Sequence, residues 1–311
     1  MKPRIQYIKH PQLDLNAWRS CVETSAGPAI YGDPDFLRAM AGDFDALVVD
    51  DYAALMPIFK RTKWGIEYLY QPAFIQKTGI FHKPGASGSG ASGELCDGLI
   101  SYCKNKFSFG EICINGSPGS GHIKERANYI LPLDKAYAFI RSSYSGDLLK
   151  NLKIAARYDF EYRKSTEYTG IVRIFRDAYA ERLSYNGDDY SNFAGFCGSK
   201  SGTPMILARE LHLDGQLYAA CLCLRDHQRL YLIMNYTSAA GRKMAANHLL
   251  VDRLISEFAG KIGWLDFEGS DQPGIAHFYK NYGAVNEPYY FVAWNRLPWP
   301  LRLLKPAYQA Q

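Results

Sequence analysis

Residues 264–294 constrain this chain more than any other stretch. They open on Trp264-Leu265-Asp266-Phe267-Glu268, where apolar and acidic residues alternate. Alternation at period two predicts a strand, with Leu265 and Phe267 toward one side and Asp266 and Glu268 toward the other. Gly269-Ser270-Asp271-Gln272-Pro273 predicts a turn into a helix. Ser270 or Asp271 can cap that helix, and proline suits its first turn because the missing N–H would have no partner there. The helix is expected over 274–282, with Gly283 ending it in the left-handed conformation. A second strand, 289–294, is rich in aromatic and β-branched residues. This strand–helix–strand unit brings two carboxylates close in sequence to Tyr279, Lys280 and Tyr282.

What surrounds that unit follows from composition. A length of 311 residues is long for one core and comfortable for two domains. The hydrophobic share of 47% and charged share of 22% are those of an ordinary globular protein. A net charge of +5 favours anionic ligands but is too small to argue for nucleic-acid binding by itself. The N-terminus shows no signal-peptide pattern, and no apolar run approaches a membrane span. The cysteine count of 7 is odd and includes no Cys-x-x-Cys pair, so a reducing, cytoplasmic setting is expected. Cys221 and Cys223 read as small buried apolar side chains, and no metal is expected. His248 and His277 lack a second histidine at i+4, and neither a P-loop nor a Gly-x-Ser-x-Gly elbow occurs.

Taken in order, residues 4–9 read as a strand, 13–24 as a helix capped near Asp14, and 33–40 as a second helix. Residues 46–49 and 53–59 form a hairpin around Asp50-Asp51-Tyr52. More strand is expected within 65–81. The Gly/Ser-rich stretch 83–93 reads as a bare surface loop. A helix over 94–106 and strands over 109–114 and 129–133 follow. Residues 145–158 form an amphipathic helix, with Leu148, Leu149, Leu152 and Ala155 on one stripe. Lys150, Lys153 and Arg157 share another face, read as solvated, with phosphate binding as the sharper alternative. Helices over 166–183 and 188–197 lead to strands 205–212, 216–224 and 230–235. Asp214-Gly215 turns the first strand pair. One helix is expected over 243–260, and the tail 296–311 is basic and interrupted by proline.

Antiparallel strands, helix, strand, helix, strand: this order in the second half, repeated more loosely in the first, resembles the GNAT N-acyltransferase fold present twice. Two motifs narrow the resemblance. Tyr144-Ser145-Gly146-Asp147-Leu148-Leu149-Lys150-Asn151-Leu152-Lys153-Ile154-Ala155-Ala156-Arg157 resembles the Ser-x-x-Leu-Arg-Asn-Ile-Arg-Arg-Ala helix of the Fem-type, peptidoglycan aminoacyltransferase-like branch. Asp266-Phe267-Glu268-Gly269 with Phe278-Tyr279-Lys280-Asn281-Tyr282-Gly283 resembles that branch's Asp-Phe-x-Gly…Phe-Lys-x-x-Phe-Gly ending. The fold implied is α+β (mixed α/β), with two tandem GNAT-like domains, each a mostly antiparallel twisted sheet flanked by helices. The expected bounds are a degenerate domain at 1–130, a second at 131–295, and the tail.

The resemblance implies transfer of an acyl group to an amine. The donor is acyl-coenzyme A (acetyl-CoA) in most GNAT proteins and aminoacyl-tRNA in Fem-type enzymes. The acceptor is a small-molecule or cell-envelope-precursor amine. Glu268, Asp266, Lys280 and Tyr236 are the catalytic candidates: carboxylates for the amine proton, an ammonium for developing negative charge, a phenol to donate. Asn235, Arg242, Lys243, Ala245 and Asn247 are the donor-binding candidates. Asn235 and Tyr236 end the strand that GNAT proteins splay from its neighbour, while Arg242 to Asn247 stand where the pyrophosphate loop falls. That loop lacks the glycines of the family, so Cβ atoms are expected to crowd a phosphate. The alternative is therefore a catalytically inactive GNAT-fold ligand-binding protein.

Overall fold

The computed structural model describes residues 3–85, 92–119, 122–269 and 271–304. Residues 86–91 of the expected Gly/Ser loop, the candidate cap Ser270 and the tail beyond 304 lie outside them. The chain divides into two compact units, Met1–Arg126 with Pro288–Gln311, and Ala127–Glu287.

The first unit begins with β1 (Ile5–Ile8), α1 (Leu15–Thr24), α2 (Pro34–Ala41), β2 (Asp45–Val49) and β3 (Ala54–Ile58). The Asp14 carboxylate caps α1 by accepting from the N–H groups of Asn16 and Ala17, and Asp33 caps α2 through Phe36. Asp50, Asp51 and Tyr52 turn the β2–β3 hairpin with φ of 43°, 53° and 63°. Next come β4 (Lys60–Lys63), β5 (Ile66–Leu69), β6 (Phe81–His82), α3 (Ser92–Lys106), β7 (Phe109–Ile114) and β8 (His122–Arg126).

The second unit contains β9 (Tyr129–Pro132), α4 (Tyr137–Ser142), α5 (Gly146–Ala155), β10 (Glu161–Ser165), α6 (Tyr168–Tyr179) and α7 (Gly187–Ser199). These precede β11 (Ile206–Leu213), β12 (Gln216–Arg225), β13 (Arg229–Thr237), α8 (Ala239–Lys243) and α9 (Ala246–Phe258). The unit ends with β14 (Trp264–Asp266), α10 (Pro273–Lys280) and β15 (Val285–Asn286). Its sheet runs β10-β11-β12-β13-β14-β9-β15. All its pairings are antiparallel except β13 with β14. Ala219, Cys221 and Cys223 of β12 face a core that includes Leu250, Leu254 and Phe258 of α9 and Leu148 and Leu152 of α5. The alternate residues Ala220, Leu222 and Leu224 are equally buried, and α6 packs on β12 and β13. Helices thus cover both sheet faces, which is why β12 reads as a nearly continuous apolar run.

The last strand, β16 (Tyr289–Asn295), forms where expected but joins the other unit. It pairs antiparallel with β7 and β8, giving the order β4-β5-β7-β16-β8 beside a second sheet, β1-β2-β3-β6. Val292 and Trp294 are buried with Ile112, Ile114 and Leu99 of that unit, and the Trp294 indole N–H donates to the Phe107 carbonyl at 2.8 Å. A short helix, α11 (Trp299–Leu304), follows. No helix among the described residues is long and apolar enough to cross a membrane.

Gly110 marks how tightly β16 is seated. A Cβ at 110 would stand 2.3 Å from the Trp294 ring. Gly110→Ala is expected to lower stability by about 2 kcal/mol through overpacking. Gly187→Ala, where a Cβ meets open space, should change it by less than about 0.5 kcal/mol. Urea midpoints measure both; equal shifts would contradict the packing.

Candidate functional site

Strand pairing decides where the second unit opens. β13 and β14 are joined only at Arg229–Trp264, Leu230–Leu265 and Tyr231–Asp266. β13 continues to Thr237 alongside β12, whereas β14 stops at Asp266. Among the described residues, positions 232–237 therefore have no ladder partner on the β14 side. Backbone groups at such a parting must find a side chain, water or ligand.

β14 stops because the backbone turns left-handed: Glu268 has φ of 60° and Gly269 of 65°. The Asp266 carboxylate holds this bend, accepting from the Glu268 N–H at 3.0 Å. Its other oxygen accepts from Arg229 Nη1 and Asn128 Nδ2, each at 3.3 Å. Arg229 in turn grips Glu287 through both terminal nitrogens at 2.6 Å. This corrects the expected polar strand face. Asp266 has 0% exposure, and Leu265 and Phe267 are buried too. β14 lies inside a sheet covered on both faces, so alternation does not mark a solvated side. The acid is tolerated there because a cation meets it. Glu268, beyond the strand, is half-buried.

α10 stands against this strand end. It starts at Pro273 after Gln272, without a side-chain cap. Asp271 does not cap it but accepts from the Ala127 N–H at 2.9 Å. Tyr279 stacks on Phe267 with ring centres 4.4 Å apart and lies 6.2 Å from the Tyr129 ring. The exposed Lys280 ammonium sits 5.4 Å from the centre of that same Tyr129 ring. Burial, then the charges of Glu268 and Asp266, raise the Tyr279 hydroxyl far above the usual phenol range, so it stays protonated at neutral pH. The structure thus gathers Glu268, Tyr279 and Lys280 around one aromatic cluster, with Asp266 behind it. Tyr279 is one of 23 tyrosines, and its signal was its place beside Lys280 on the helix that follows the acidic strand.

The helix expected over 243–260 forms as α9, three residues later at its start, and the short α8 precedes it. Ser238 caps α8 through the Gly241 N–H, and a Cβ at 241 would meet the Tyr218 carbonyl at 2.5 Å. Met244 and Ala245 separate α8 from α9, and Ala245 has φ of 53°. Ala245 thus takes the left-handed conformation that glycine adopts freely, at a cost of about 1 kcal/mol. The absent glycine does not remove the loop's shape, and Ala245 is itself buried. His248 and Leu249 donate back to the Ala245 carbonyl, so the Ala246 and Asn247 N–H groups lie in the first turn, where a helix offers no internal partner.

Three buried polar atoms near this helix start have no hydrogen-bond partner: Asn235 Oδ1 on β13, and Asn247 Oδ1 and His248 Nδ1 on α9. Burial lowers the His248 pKa, which favours the neutral ring. A cleft of about 510 Å³ lies alongside, lined by Lys150, Asn151, Ile154, His248, His277 and Phe278 among others. Tyr236 is half-buried opposite Ala220. Arg242 and Lys243 are exposed, and Arg242 Nη1 donates to the Thr237 carbonyl at 2.8 Å. Lys150, Lys153 and Arg157 are exposed as well, and Lys150 lies 3.4 Å from Asp147. No cluster that could hold a metal ion occurs among the described residues.

No protein-family model matches the sequence, and no curated protein sequence does so significantly. Solved structures do resemble it. FemX aligns over 96% of this chain and 99% of its own, with a TM-score of 0.64 and 12% identity. A tandem GNAT protein from the clavulanic acid biosynthesis pathway covers 95% and 99%, with a TM-score of 0.52 and 10% identity. The L-PGS of Bacillus licheniformis covers 94% and 95%, with a TM-score of 0.51 and 11% identity. At these identities the likeness is one of architecture: this chain has the Fem-type tandem-GNAT fold.

Proposed function

We propose that the protein moves an acyl or aminoacyl group from a thioester or ester donor to an amine, within its second unit. One observation carries this reading. The strands part at Tyr231 and Asp266, with a carboxylate, a protonated phenol and an ammonium near one end. Unpartnered amide oxygens and open helix N–H groups lie near the other. The fold and the acyltransferase resemblance of the sequence support the same class.

In this reading Glu268 takes the proton from the incoming amine, whose nitrogen then attacks the acyl carbonyl. Backbone N–H groups along 232–237 receive the developing oxyanion. Tyr279 gives its proton to the departing thiolate or alkoxide, so the products are an amide and a thiol or alcohol. Lys280 offsets the negative charge, and Asp266 positions Glu268 through the backbone N–H it accepts. Asn235 and Asn247 orient the donor, while the Ala246 and Asn247 N–H groups with Arg242 and Lys243 face its phosphates. Acyl-coenzyme A, the donor of most GNAT proteins, is the first donor to test, and aminoacyl-tRNA, which the exposed Lys150, Lys153 and Arg157 could meet, is the alternative.

With a panel of acyl-coenzyme A donors and amine acceptors read by mass spectrometry, Glu268→Gln and Lys280→Ala should each lower kcat/KM by at least about 100-fold. Urea midpoints should stay unchanged, and wild-type turnover in both variants would defeat the assignment.

A second measurement separates an active from an inactive site. Calorimetric titration with acetyl-coenzyme A should show binding that Asn247→Ala weakens roughly tenfold. Ala245→Gly should retain that binding and gain about 0.5–1 kcal/mol of stability. Binding with no amide product from any acceptor would favour the inactive ligand-binding alternative. No binding at all would rule out the donor assignment.

A further inference from the structure

The first unit carries a surface that the proposed chemistry does not use. Among the described residues, Trp64 and Trp299 are its two most exposed large apolar side chains, at 67% and 73%. Trp64 lines a shallow groove of about 240 Å³ with Ile66, Tyr68, Phe109, Leu297 and Leu301, and Trp299 stands on the same short helix as Leu301. An indole left bare at an apolar groove, with a second on the helix that helps line it, gives up burial free energy unless something covers it.

The backbone adds an independent sign. Lys63 pairs with Ile66, so Trp64-Gly65 is a two-residue hairpin turn, with φ of 52° and 75°. Such a turn calls for Asn, Asp or Gly at its first position. Tryptophan there costs about 1 kcal/mol and projects its ring from the tip of the hairpin. The ring is nonetheless 67% exposed, so among the described residues little of its apolar surface is covered.

Charge indicates the occupant. The segments 60–69 and 296–304 hold five cations (Lys60, Arg61, Lys63, Arg296 and Arg302) and one carboxylate, Glu67. Glu67 is itself paired with Lys60 at 3.0 Å. Arg61, Lys63, Arg296 and Arg302 are exposed, and the Lys63 ammonium sits 4.9 Å from the Trp64 ring centre. Indoles flanked by cations suit the boundary between headgroups and acyl chains, where rings lie at headgroup depth and cations meet phosphates. The groove is too small to bury a partner helix, and Trp64 at its rim is mostly exposed.

We propose that this face, built from the β4–β5 hairpin and α11, docks on a bilayer bearing anionic headgroups. The idea does not depend on the acyl-transfer reading and is tested without any transfer substrate. The full chain would be sedimented with phosphatidylcholine vesicles containing about 30% phosphatidylglycerol, and with phosphatidylcholine alone. Binding should be at least about tenfold stronger to the anionic vesicles and should fall as salt rises from about 0.1 M to about 0.5 M. W64A/W299A should lose about tenfold or more in partitioning at an unchanged melting temperature, and K63E/R302E should lose a similar factor. Lys150→Glu with Lys153→Glu, on the cationic face of the other unit, should leave binding unchanged.

Wild-type binding by W64A/W299A, equal binding to both vesicle types, or equal loss in the Lys150/Lys153 variant would overturn the proposal. So would a chain that ignores vesicles but self-associates through these tryptophans, because the groove would then belong to a second copy.

Discussion

A carboxylate with no access to solvent ends a central strand, and the second unit is arranged around supplying its partners. Asp266 is held by Arg229, Asn128 and the Glu268 N–H, and Arg229 is shared with Glu287. Burial alone would lower the Arg229 pKa, but Glu287 and Asp266 outweigh it and raise the value. Removing either member of such a pair leaves an uncompensated buried charge, worth about 3–5 kcal/mol. Because Arg229 also holds Glu287, replacing Asp266 and Arg229 together would still strand a third charge. The pair fixes where β14 stops and which way Glu268 leaves it.

That stop has a consequence on the neighbouring strand. Because β14 ends at Asp266, β13 runs on for six residues, Leu232 to Thr237, with one edge unladdered. Asn235 within that stretch, and Asn247 and His248 beyond it, each bury a polar atom without a partner among the described residues, and Ala245 sits in a backbone region that alanine disfavours. Each such atom costs about 1–3 kcal/mol. Several of them lie within a few residues of the parted sheet, so that stretch is the least satisfied part of the β13–α9 connection.

Local chemistry was legible in the sequence. Asp14, Asp33 and Ser145 cap their helices, and Asp214-Gly215 turns β11 into β12 with φ of 51° and 76°. Each of these depends on residues within a few positions. What was hidden depends on distant partners. The polar side of 264–268 is internal because Arg229, more than thirty residues earlier, supplies its counter-charge. The break between α8 and α9 reflects the Gly241 approach to Tyr218 and the conformation of Ala245, neither visible to helical periodicity. Strand 289–294 was recognised by composition, yet its place beside β7 follows from the space that Gly110 leaves for Trp294. In the candidate site, Glu268, Tyr279 and Lys280 could be named as candidates because the motif holds them close in sequence. The place of His248 beside the cleft needed coordinates.

The same ion-pair network governs how the chain leaves the second unit. Glu287, its last residue, is clamped by Arg229, and its N–H donates to the Asn128 carbonyl at 2.7 Å. Asn128, second residue of the unit, binds Asp266 through its side chain and takes the Asn286 side-chain oxygen through its N–H at 3.1 Å. Entry and exit strands are therefore tied to each other and to the acid behind Glu268. A chain that surrendered its C-terminal strand to the other unit would otherwise leave β15, only two residues long, to fray from the sheet edge. Anchoring that edge through Arg229 gives the pair a second task beyond orienting Glu268. It follows that loosening Glu287 should be felt at Asp266, and so at the bend that aims Glu268, because one guanidinium serves both carboxylates.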